Sequence, residues 1–88
     1  MIIKEIKTSS LFEKHYKKLP EKIKAKAKEK EKIFRNNPFH PILKTHKLHG
    51  EERDALAFWI NYSFRIKFIF TDDNSVLFLD IGTHDIYR

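Results

Sequence analysis

The sequence predicts a single α+β domain of order β-α-α-β-β-β, an antiparallel meander with two N-terminal helices packed on one face. Three observations predict it. From Arg53 onward hydrophobicity alternates with a period of two, in three runs separated by polar turn residues. Upstream, two stretches rich in helix formers meet at Pro20. The aromatic side of the meander would stand in water unless those helices covered it.

Each element has its own signal. Ile2, Ile3 and Ile6, with Lys4 and Lys7 between them, predict a short first strand. Thr8, Ser9 and Ser10 supply helix-capping hydroxyls, and Glu13 stands three residues after Ser10 as a capping-box partner. A helix over about 11–19 puts Phe12, Tyr16 and Leu19 on one face. Pro20 suits the first position of a second helix, which runs to Asn36-Asn37-Pro38. Its apolar stripe is thin (Ile23, Ala27 and Phe34, with Ile33 beside it), and lysines cover most of the rest.

Residues 38–52 read as an extended, proline-punctuated connection in which Leu43 and Leu48 tuck into the core and Gly50 turns. Arg53–Asn61 reads as a strand, with Trp59 facing away from Phe58 and Ile60. Asn61-Tyr62-Ser63 is a tight turn. Phe64–Phe70 is the next strand, with Phe64, Ile66, Phe68 and Phe70 on one face and Arg65, Lys67 and Ile69 on the other. "TDDN" turns the chain into a third strand, Ser75–Ile81, apolar enough to lie centrally.

The 88 residues make one domain with a small core. There is no cysteine, which excludes disulfides and thiolate zinc sites and suits a reducing cytoplasm. The N-terminus has no apolar h-region, and no run approaches a membrane span. Net charge is +6 and asymmetric: residues 1–47 carry 14 Lys/Arg against 5 Asp/Glu, whereas 48–88 carry 4 against 7. The basic half draws polyanions: RNA, DNA or an acidic protein segment.

Four side chains could carry chemistry. Arg65, on the face away from the aromatic run, could hold a phosphate in a bidentate fork; its plain structural alternative is a cross-strand ion pair with Asp80. His84, in "GTH" past a strand end, could move a proton near neutrality. His46, in the basic loop "KTHKLHG" between Lys44 and Lys47, could do the same, the lysines positioning an RNA backbone. Tyr87 could stack on a base or donate its hydroxyl proton. His15, His40 and His49 read as surface histidines. His46, His49 and His84 lack metal-ligand spacing, so no metal or cofactor is expected.

The element order, "NPFHPILKTHKLHG", "YSFRIKFIF" and "LDIGTHDIYR" together resemble the RelE/ParE toxin superfamily of type II toxin–antitoxin systems, across nearly the whole chain. The "THKLHG" loop and "GTH" ending look closest to its YafQ-like and RelE/StbE-like branches. That resemblance implies a metal-independent mRNA endonuclease, usually ribosome-associated, that inhibits translation and is neutralised by a cognate antitoxin. It aligns His46 with the loop His of that branch, Arg65 with the strand Arg that acts on the scissile phosphate, His84 with the His of "GTH", and Tyr87 near the C-terminal aromatic. Trp59 and Ser63-Phe64 stand where the YafQ-like pattern has a His and an Asp-Trp pair. The alternative within the superfamily is a ParE-like gyrase inhibitor, or a catalytically degenerate toxin, acting by protein binding. The antitoxin expected is a short acidic protein from an adjacent gene.

Overall fold

The computed structural model describes residues 1–50 and 54–87, with the backbone alone at His84 and Tyr87. The start of the Arg53–Asn61 strand therefore lies partly outside the described residues. The elements are β1 (Glu5–Thr8), α1 (Ser10–Lys17), α2 (Glu21–Asn36), β2 (His46–Lys47), β3 (Leu56–Trp59), β4 (Phe64–Asp72) and β5 (Ser75–Thr83). One 3-10 turn, Pro41–Leu43, precedes β2, and another, His84–Tyr87, follows β5. The sheet runs β1-β5-β4-β3-β2, with β1 parallel to β5 and every other pair antiparallel. The α+β class and the meander match expectation; the added strand is β2, a two-residue edge pairing inside the stretch read as an extended connection.

Local chemistry sets the boundaries. Ser9, not Ser10, caps α1: its Oγ accepts from Phe12 N at 3.0 Å and donates to Leu79 O at 2.7 Å. The Glu13 carboxylate instead accepts from the Thr8 hydroxyl. Pro20 lies one residue outside α2, at ψ 150°, as its N-cap. At the β3–β4 turn, Asn61 Oδ1 accepts from Ser63 N (2.9 Å) and Phe64 N (2.8 Å), closing it tightly. At the β4–β5 turn, Asp72 Oδ1 accepts from Asn74 N at 2.9 Å. That bond, with a further one from Ser75, holds the Asp72 carboxyl below the usual carboxylate range.

The core lies between the helices and one face of the sheet. Phe34 of α2 is its hub, fully buried, with ring centroids 4.7 Å from Phe58, 5.0 Å from Phe68 and 5.6 Å from Phe78. Phe12 of α1 closes one side against Phe78 at 5.5 Å. The inward stripe of α2 includes Lys30, which is buried along with Ala27 and Phe34. Its aliphatic stem fills a position that a purely apolar reading leaves empty.

Register assigns the other face. Directly opposed residues of an antiparallel pair share a face, so Trp59, Arg65 and Gly82 form one row and His46, Ala57, Lys67 and Asp80 the next. The Trp59–Arg65–Gly82 row looks away from the helices, whereas Asp80 of the next row reaches His15 of α1. A bulge between Lys67 and Phe68 keeps this alternation while admitting one extra residue in β5. No helix among the described residues is long and apolar enough to cross a membrane.

Candidate active site

Arg65 is positioned by the turn it follows. Its Nη1 donates to the carbonyls of Asn61 (2.8 Å), Tyr62 (2.7 Å) and Phe64 (3.3 Å). Its Cζ stacks 4.0 Å from the centroid of Trp59, the residue directly across in β3. Arg65 is only 8% exposed, yet it lines a cleft of about 400 Å³ with Trp59, Tyr62, Ser63 and Thr83. Among the described residues, Nε and Nη2 have no hydrogen-bond partner, and no carboxylate pairs with this arginine. A buried, always-charged group with two nitrogens unspent beside a cleft is suited to an anion.

The cross-strand ion pair with Asp80 does not form. Arg65 faces Gly82, and the Asp80 carboxylate goes to His15 Nδ1 at 2.6 Å. His15, read from sequence as a surface residue, thus reaches from α1 to a buried aspartate. Asp80 Oδ1 also accepts from Ile81 N at 2.8 Å, and Lys67 lies opposite it in register.

The remaining candidates surround Arg65 unequally. His46 is exposed on the Arg65 face, its Nδ1 2.9 Å from the Lys44 carbonyl. A carbonyl only accepts, so Nδ1 carries the proton and the lone pair of the neutral ring falls on Nε2. Two strand spacings and two residues separate His46 from Arg65, so their Cα atoms are roughly 12 Å apart. Lys44 adopts a left-handed backbone (φ 51°) that caps the first 3-10 turn, and its Nζ lies 5.4 Å from the Trp59 centroid. Lys47 alternates with His46 and shares the face of Leu56, the helix side, so it is not brought to the cleft.

His84 begins the last 3-10 turn directly after Thr83, which pairs with Phe64 and lines the cleft. Tyr87 closes the same turn. The side chains of both lie outside the described residues. Their backbone is anchored by an interaction that the sequence did not suggest. Gly82 lies across from Arg65, and a Cβ there would come within 2.8 Å of Ile86 Cγ2. Ile86 therefore folds the last turn back over the open face, against β4 and β5. Gly82→Ala is expected to push that turn away. The overpacking should cost ~1–3 kcal/mol, and backbone amide shifts in NMR spectra should move over 82–87 and leave the helices unchanged.

Sequence reasoning passed over Trp59 and Tyr62. Trp59 contacts both cations, and Tyr62, 83% exposed, meets it edge-on at 6.0 Å. The signal available was an aromatic on the same strand face as Arg65, followed by a tyrosine at the tip of a tight turn. A second groove, about 230 Å³, lies on the helix side over Phe12, Ala27, Ile66 and Phe78 and contains none of the candidates.

No family model matches the chain, and no curated protein matches it by sequence. Solved structures do. A chain of the DinJ–YafQ toxin–antitoxin complex from E. coli superposes with a TM-score of 0.76 at 22% identity, with 97% of each chain covered. YoeB from Staphylococcus aureus, solved as a dimer, gives 0.73 at 25% identity over 91% of this chain and 95% of that one. RelE of an archaeal RelE–RelB complex from Pyrococcus horikoshii OT3 gives 0.74 at 17% identity over 94% and 96%. The fold is that of the RelE/ParE toxins. In this RelE/ParE fold, Arg65 stands on the sheet face that the two helices leave uncovered, at the end where β3, β4 and β5 meet the last turn.

Proposed function

We propose that the protein is the toxin of a type II toxin–antitoxin pair and acts as a metal-independent endoribonuclease on mRNA. The observation that carries this reading is the Arg65 guanidinium, held by three carbonyls and stacked on Trp59, with Nε and Nη2 left unspent beside the cleft. Such a group binds a phosphodiester and stabilises the charge that builds on it during attack. The likeness in fold to YafQ, RelE and YoeB supports the same role.

The chemistry needs no cofactor. His46, with its lone pair on Nε2, takes the proton from a ribose 2′-hydroxyl. The 2′-oxygen attacks phosphorus, and the bond from phosphorus to the 5′-oxygen breaks. His84 returns a proton to that oxygen. The products are a 2′,3′-cyclic phosphate and a 5′-hydroxyl, and Arg65 balances the added negative charge on the phosphoryl oxygens in between. Lys44 supports the backbone, and Tyr87 stacks or assists. Ribosome association fits the +6 charge of the chain. The antitoxin is a short acidic protein from the adjacent gene, matched to the basic half of the sequence.

Two measurements test this. Induction of the parent should arrest growth, and Arg65→Ala and His84→Ala should not; coexpression of the neighbouring acidic reading frame should restore growth. RNA from arrested cells should carry new 5′-hydroxyl ends. Equal arrest by all three proteins, without new ends, would replace the nuclease with a toxin that acts by binding a protein.

A further inference from the structure

We infer that Tyr62 and Trp59 form a base-stacking subsite, which takes an unstacked nucleobase of single-stranded RNA next to the phosphate held by Arg65. The inference rests on the endoribonuclease reading and names how that site holds its substrate. Tyr62 is 83% exposed at the tip of the β3–β4 turn, an unusual place to leave a large aromatic ring in water. Its ring is edge-on to Trp59 at 6.0 Å, so the two give the cleft an aromatic wall with a free π-face.

The backbone that carries the ring is also firmly held. Asn61 Oδ1 closes the turn with two backbone bonds, and Arg65 Nη1 takes the carbonyls of both Asn61 and Tyr62. The group that offers donors to the cleft is thus the group that fixes the backbone of the stacking residue. Platform and anion site are built as one unit on the same turn.

The cations select the occupant. Arg65 and Lys44 lie 4.0 and 5.4 Å from the Trp59 centroid, so the wall is flanked by positive charge. A volume of about 400 Å³ accommodates one nucleotide. An acidic peptide satisfies the cations and leaves the ring face bare; a nucleotide carries both a planar base and an anion at fixed separation. Every base has a π-face, so the subsite tolerates any sequence, and preference comes from stacking strength.

The chain has a single tryptophan, so its emission reports on this wall alone. The parent should be titrated with a fluorescein-labelled 2′-O-methyl hexa-adenylate, which cannot be cleaved, following probe anisotropy and Trp59 emission together. Both signals should saturate with one midpoint. Tyr62→Ala should weaken binding ~5- to 150-fold, the fold-change that corresponds to ~1–3 kcal/mol per stacked base, and Tyr62→Phe should restore it. The carbonyl used by Arg65 is retained in both variants, and circular dichroism should match the parent. Saturating anisotropy with constant emission, or parent-like affinity in Tyr62→Ala, would overturn the subsite and leave the nuclease reading standing. Absence of any binding would overturn both.

Discussion

Arg65→Lys is expected to cut cleavage of single-stranded RNA by ~10²–10³-fold, the scale seen when one preorganised donor to a developing charge is lost. The substitution keeps the charge and discards the fork. In the parent, Nη1 is occupied by three carbonyls, while Nε and Nη2 stay unspent in a residue that lines the cleft. A lysine ammonium drawn to the same carbonyls turns its donors inward, and nothing remains to grip a phosphate. The turn itself keeps its Asn61 closure, so the thermal midpoint should fall by only a few degrees. Initial rates on a fluorescent ribo-oligonucleotide, with a thermal melt alongside, check both halves. A rate within threefold of the parent would remove this arginine from the reaction.

Phe34→Ala should be the most damaging single change to the fold. The ring is fully buried and touches Phe58, Phe68 and Phe78, so its loss removes the contact between α2 and three adjacent strands. Truncations of this kind cost ~3–5 kcal/mol. A small domain has about 5–15 kcal/mol in total. At ~4–8 °C per kcal/mol, the midpoint should fall by upwards of ~12 °C. Differential scanning calorimetry measures this directly. A loss below about 1 kcal/mol would mean that α2 is held to the sheet by something other than this ring.

The order of elements was legible because two periodicities, 3.6 and 2, were cleanly separated along the chain. The alternation of Phe64, Arg65, Ile66 and Lys67 also told which side chains share a face, and register gives the same division. What the sequence did not disclose came from contacts between distant segments. Nothing local marks His46–Lys47 as a strand; it pairs only because β3 offers an edge. Lys30 looked like one more solvated lysine until its place in the inward stripe was seen. His15 and Asp80 are 65 positions apart, and no pattern links them. At the site, the sequence pointed to an arginine and its histidines. It was silent on Trp59 as the surface that holds the guanidinium, because a cation–π contact across strands depends on register. The fold over Gly82 was equally hidden: a glycine in a strand has many possible reasons, and only Ile86 supplies this one.

The parallel pairing of β1 with β5 has a consequence for biosynthesis. Glu5 finds its partner at Ser75, and Thr8 finds its partner at Phe78. During translation the opening strand must therefore wait, unpaired, for some seventy further residues to emerge. The arginine cleft is completed by Thr83, later still. A nascent chain thus holds no finished cleft until Thr83 has been added and has reached its place beside Phe64.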